Sequence, residues 1–196
     1  MIYTLSGELA KRNESNFILE NNGVGFQIST NQRTLGDLPA NGGRFKIFCF
    51  LYIRETRLEL YGFLTEETLK FFELLNTVSG IGPKTALGIL DAGPVASLMA
   101  SIAENKIDFL TRSSGIGQKT AERLILELRN KIKLPKTSKG LADAIAVDDE
   151  VEGALIGLGY GRNEAKQILK KAPPADKNKG GFADRLKQVL KSAGGN

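Results

Sequence analysis

Histidine is absent from all 196 residues. Without imidazole, the commonest general base and metal ligand is missing, which excludes a Ser-His-Asp triad and a histidine-based zinc site. A single cysteine, Cys49, allows no internal disulfide. Inside the apolar run FKIFCFLYI it reads as a small buried hydrophobe rather than a nucleophile. No apolar run approaches the roughly 20 residues that span a bilayer. The opening MIYTLSGELAKR has neither a basic leader nor a long apolar stretch. The expectation is a cytoplasmic protein with no membrane segment.

What is present suits packed cores: 41% of residues are apolar, and the length accommodates two or three small domains. The formal net charge of +5 is compatible with an anionic partner without identifying one. Residues 64–133 carry nine Lys/Arg against eight Asp/Glu. If that segment holds a polyanion, a few placed groups must do so rather than a general basic field.

Three segments follow different patterns. Residues 1–63 read as β structure: about five strands near 1–11, 16–20, 23–30, 44–54 and 57–62, separated by Asn-Gly turn signals. Along the fourth, Phe45, Ile47, Cys49, Leu51 and Ile53 alternate with Phe48, Phe50 and Tyr52. Five short antiparallel strands in this span suit an OB-fold barrel. Residues 64–133 switch to helical period, with Thr65-Glu66-Glu67 as cap and acidic first turn, Leu69, Phe72 and Leu75 spaced behind it, and Pro94 opening a further helix. Ala121, Leu124, Ile125, Leu128 and Ile132 form another apolar stripe. Residues 134–147, with Pro135, Ser138 and Gly140, read as a flexible linker, and 148–196 as a three-helix module starting at Asp148-Asp149-Glu150. The predicted architecture is multidomain α+β.

One heptapeptide recurs. SGIGPKT at 79–85 returns as SGIGQKT at 114–120, six of seven residues identical at an offset of 35. The glycines permit a tight reversal and close approach of another backbone. Pro83 fits the first helical position. The amides of the following turn then face outward as an anion site, with Lys84 or Lys119 beside them and Arg123 one turn beyond Lys119. A single copy reads equally well as a mere helix corner; the same lysine at the same offset twice favours phosphate binding. A P-loop requires glycine directly before Lys-Ser/Thr, where Pro83 or Gln118 stands here. A dinucleotide fingerprint requires a third glycine and a preceding strand, and neither copy has them.

The repeat resembles the helix-hairpin-helix motif, which holds DNA backbone phosphates without reading sequence. By that likeness the phosphate-binding candidates are Gly80, Ile81, Gly82, Lys84 and Thr85 in the first copy. In the second they are Gly115, Ile116, Gly117, Lys119, Thr120 and Arg123. Such contacts give affinity and register with little base information.

The order of barrel, twin hairpins, linker and small helical module, together with MIYTLSGEL and Tyr61-Gly62-Phe63, resembles the RuvA family over essentially the whole chain. These are the Holliday-junction-binding subunits of the bacterial branch-migration complex. The resemblance implies a homotetramer that holds the four-way junction open and square, with a second tetramer able to complete an octamer. It implies a C-terminal module that binds the RuvB motor ATPase, the RuvC resolvase in the larger complex, and no catalysis, cofactor or metal in this subunit. It also implies an acidic pin at Arg54-Glu55-Thr56-Arg57, where Glu55 matches the family, Thr56 replaces its second carboxylate, and Glu59 is a candidate substitute. Leu158-Gly159-Tyr160 resembles the loop of ubiquitin-associated-like domains, making Leu158, Tyr160, Leu169 and Leu186 candidates for the motor contact or, equally, for the module's own core.

Two other functions share the motif. A base-excision glycosylase or lyase needs a catalytic aspartate or lysine soon after the hairpin, yet no aspartate follows the second copy until Asp143. A scaffold delivering a nuclease or polymerase would bind linear duplex as tightly as a junction.

Overall fold

A computed structural model describes residues 1–111, 116–132, 141–172 and 181–193. The first 63 residues contain β1 (Thr4–Arg12), β2 (Asn16–Asn21), β3 (Val24–Ser29), α1 (Gln32–Asp37), β4 (Arg44–Arg54) and β5 (Arg57–Phe63). The strands close into a barrel in the order β1-β2-β3-β5-β4. Neighbours are antiparallel except β3 and β5, which meet in parallel where Ser29 faces Tyr61. Asn22 and Gly23, both at positive φ, make the two-residue turn between β2 and β3. Leu9, Phe17, Leu19, Ile28, Ile47 and Cys49 fill the interior. Gly62 has no room for a side chain: a Cβ would lie 2.5 Å from Ile28 Cγ2 and 2.9 Å from Ile47 Cγ1. The close approach that seals the barrel needs glycine there.

The barrel segment differs from the sequence reading in its parallel β3–β5 pairing, in α1 and at Ile53. Helix α1 was not expected, because its cap is remote: the Asp91 carboxylate accepts from the Gln32 amide at 2.7 Å across 59 residues. On β4, Ile53 was placed on the inward stripe but is 67% exposed, because the β4–β5 hairpin runs on past the end of the barrel.

The helical segment comprises α2 (Glu66–Asn76), α3 (Pro83–Asp91), α4 (Val95–Ala103), α5 (Ile107–Thr111) and α6 (Gln118–Leu128). Thr65 caps α2, its hydroxyl accepting from the Thr68 amide at 3.2 Å. Leu69, Phe72 and Leu75 are fully buried, as is the predicted stripe of Ala121, Leu124, Ile125 and Leu128. Phe72 joins barrel to helices: its ring lies 4.8, 5.3 and 5.6 Å from those of Phe63, Tyr61 and Phe50. The outer face of β4 and β5 is thereby fixed against α2, which holds the β4–β5 hairpin beside the first glycine corner.

The C-terminal elements are α7 (Leu141–Gly157), α8 (Arg162–Lys171) and α9 (Phe182–Ala193). They pack around Val151, Leu155, Ala165, Ala172 and Val189. Helix α7 begins at Leu141, so the second half of the expected linker is helical. LADAIAV is rich in strong helix formers, and the breakers Pro135, Ser138 and Gly140 all precede it. The turn after α7 ends on Gly159 at φ +99, with the Tyr160 amide donating to Leu155 O at 3.1 Å. Arg185, 4% exposed, pairs with Asp148 and ties α9 to α7. The module is seated toward the barrel through Asp37 of α1, whose carboxylate meets Lys166 at 2.8 Å and Arg162 at 3.5 Å.

Candidate nucleic-acid interface

Each repeat leads into a helix, α3 after the first and α6 after the second, where the described residues of the second copy start at Ile116. In the first, Gly80 adopts φ +85, a left-handed conformation that strains other residues. Gly82 and Gly117 are the N-caps and sit in extended backbone. No atom of the described residues lies within 4 Å of where their Cβ atoms would be, so each presents bare backbone to whatever approaches. Gly115 falls outside the described residues.

Ile81 and Ile116 are 4% and 6% exposed and anchor the corners in the helical core. Their side chains are not available to a ligand, and the Ile81 amide already donates to Val78 O at 3.0 Å. In α3 the first helical bond runs from the Ala86 amide to Gly82 O, so the amides of Lys84 and Thr85 precede it. In α6 the Thr120 and Ala121 amides both donate to Gly117 O, leaving those of Gln118 and Lys119 ahead. Each helix start thus offers two amides at its positive end, displaced by one residue because Pro83 has no N–H and because the Thr120 amide already bonds Gly117 O. Lys84 and Lys119 are exposed and make no ion pair among the described residues. Both cations stand uncompensated beside the free amides.

Arg123 links the two copies. From the second turn of α6 its guanidinium Nη1 donates to Ser79 O at 3.4 Å, on the first corner. It also lies 3.7 Å from the position a Cβ on Gly80 would occupy.

The β4–β5 hairpin turns through Glu55 and Thr56, with Arg54 and Arg57 paired across the strands. Glu55 is exposed at the tip and has no partner among the described residues. Glu59 is not a second tip carboxylate. It is half-buried, pairs across the strands with Tyr52, and accepts from the Tyr61 hydroxyl at 2.7 Å. Burial, then that bond to the carboxylate, pushes the Tyr61 hydroxyl far above its ordinary pKa.

Strand alternation puts Tyr52, Arg54, Arg57, Glu59 and Tyr61 on one hairpin face. With Gly82, Pro83, Lys84 and Thr85 they enclose a cleft of about 280 Å³ between hairpin and corner. The opposite face carries the cross-strand pair Ile53 and Leu58, 67% and 72% exposed. The sequence reading missed both faces as sites, although period-two spacing on either side of the turn marks them.

In the C-terminal module only Leu158 of the four partner candidates is exposed, at 62%. Tyr160, Leu169 and Leu186 are half-buried against the module's core. Ile156 and Phe182, unmarked in the sequence reading, are exposed beside the same elements.

Comparison with known proteins agrees with this architecture. Residues 1–62 match the RuvA N terminal domain, and residues 72–130 match the SAM-like helix-hairpin-helix tandem. A Holliday junction branch migration complex subunit RuvA of Neisseria meningitidis serogroup C is 40% identical over 97% of this chain and 100% of its own. The proteins of that name from Dechloromonas aromatica and Prosthecochloris aestuarii are 38% and 36% identical, covering 97% and 95% of the chain and 100% and 95% of their own lengths. With relatives this similar along nearly its whole length, and a barrel and twin corners built as described, the chain belongs to the RuvA family.

Proposed function

We propose that this protein is the junction-binding subunit of a branch-migration machine: it grips four-way (Holliday) DNA junctions without reading their sequence and presents them to an ATP-driven motor. The observation that carries this reading is the pair of helix starts, each with two amides ahead of its first helical bond and a lysine unpaired among the described residues, bridged by Arg123. A corner of this kind meets a phosphate through hydrogen bonds and charge but reaches no base edge, so it gives affinity and register only.

Catalysis is assigned to the partner. The motor is RuvB, docking on the C-terminal module around Leu158, Ile156 and Phe182, with the RuvC resolvase joining the larger complex. The working form is a homotetramer, matching the fourfold character of the substrate, and a second tetramer completes an octamer around the DNA. The apolar pair Ile53 and Leu58, open to solvent in the single chain, supports this, because a neighbouring subunit would bury it. The cytoplasm, where recombining DNA resides in bacteria, is its proposed location.

Gel-shift titrations with a four-way junction, a three-way fork and linear duplex, repeated across salt concentrations, test the proposal. Junction preference should persist while absolute affinity falls steeply with salt. Equal affinity for junction and duplex would favour a general DNA scaffold instead.

A further inference from the structure

The cleft between the β4–β5 hairpin and the first corner sets two further cations, Arg54 and Arg57, beside the Lys84 that the first corner already uses. Three cations, Arg54, Arg57 and Lys84, face it against one carboxylate, Glu59. Its Oε2 accepts from the Tyr61 hydroxyl at 2.7 Å, and its Oε1 forms an exposed ion pair with Arg57 Nη1 at 3.9 Å, too long for a hydrogen bond. That pair is long and solvent-exposed, with the Arg57 side chain 69% exposed, so an approaching phosphate can compete for its guanidinium.

Arg54 is held in place before any ligand arrives. Its guanidinium carbon lies 5.1 Å from the centre of the Tyr52 ring, and its Nε donates to the Tyr52 hydroxyl at 2.6 Å. With Nε engaged, the two terminal nitrogens remain as a fork, the geometry that suits a phosphate. The cleft's volume of about 280 Å³ is many times the space that admits a single water, so a phosphodiester and its hydration fit.

We infer that this cleft is a third phosphodiester site, in which Arg54 and Arg57 of the hairpin, with Lys84 of the corner, hold a backbone phosphate of the strand running from the first corner toward the hairpin tip. The inference rests on the proposed DNA-binding role and extends it. In this chain the tip sequence Arg54-Glu55-Thr56-Arg57 has two cations and one carboxylate. The hairpin thus draws the strand's phosphate backbone toward it, and Glu55 alone opposes phosphates at the apex.

The test uses full-length protein carrying Arg54→Gln and Arg57→Gln together, with Tyr52→Phe as a milder variant that removes only the anchor for Arg54. Affinity is measured against salt for a four-way junction and for linear duplex. The double variant should bind the junction about tenfold more weakly, with a log-affinity against log-salt slope shallower by about 1 to 2. Linear duplex, held by the corners, should change less than about twofold, and Tyr52→Phe should lose about two- to threefold on the junction only. Unchanged junction affinity and slope in the double variant would overturn the inference, as would an equal loss on junction and duplex. If wild-type protein shows no junction preference, the proposed function fails instead. The cleft is then judged by the slope on duplex alone, where a value unchanged by the double variant overturns it.

Discussion

Arg123 on α6 donates to the carbonyl of Ser79 at 3.4 Å, so a side chain one turn beyond Lys119 bridges to the first corner. Two phosphate grips are useful together only if their spacing matches that of the backbone they hold; the shared core that buries Ile81 and Ile116 places the corners, and this contact bridges them at the surface. Because the donor is an exposed guanidinium with further N–H groups, the same residue can also face a phosphate.

Replacement of Arg123 by alanine therefore separates registration from folding. Removing an exposed side chain should alter unfolding free energy by less than about 0.5 kcal/mol. Junction affinity should fall about tenfold, and Arg123→Lys, which retains charge but loses the fork, should recover only part of it. Thermal unfolding and gel-shift titration of the two variants check this. A large loss of stability with unchanged affinity would make Arg123 a structural residue alone.

The exposed pair Ile53 and Leu58 predicts an assembly defect. Burying one such side chain contributes about 1.5–3 kcal/mol, so Leu58→Asp in each subunit should shift the protein toward smaller species at micromolar concentration. Light scattering after size exclusion reads this directly, and circular dichroism confirms that the barrel persists. Undisturbed assembly would remove this face from the subunit interface.

Cys49 predicts an alkaline limit on stability. Burial inside the barrel pushes its thiol up from 9.0 to about 11. Below about pH 9 the thiol is protonated in both folded and unfolded chains, and its contribution to stability is complete. Between about 9 and 11 the unfolded chain releases the proton while the folded one keeps it, so stability falls as pH rises through that window. Denaturant titrations from pH 8 to 11 should show this decline, and Cys49→Ala, though less stable throughout, should show less of it. Native protein at pH 8 should also resist alkylation until it unfolds.

Much of this was legible in the sequence. Alternation in RFKIFCFLYIR revealed a strand with two apolar faces, and both are used: Ile47 and Cys49 inside the barrel, Phe50 outside against Phe72. The repeated Gly-Ile-Gly marked the corners because a reversal followed by a helix start has few solutions. What escaped was non-local. Helix α1 takes its cap from Asp91, the contact of Arg123 with Ser79 spans 44 residues, and the hairpin cleft brings residues 52–61 together with residues 82–85. The start of α7 was misplaced for a local reason: three breakers at 135–140 obscured a helix-forming run directly behind them.

The central claim is that two cation-backed corners grip the DNA backbone, and one measurement tests it most directly: the affinity of the Lys84→Ala/Lys119→Ala double variant for a four-way junction. Both lysines are exposed and unpaired among the described residues, so the variant should fold with unchanged circular dichroism and melting temperature. The account predicts an affinity lower by about a hundredfold at moderate salt, with a shallower salt dependence. A folded double variant that binds the junction as tightly as wild type would contradict it.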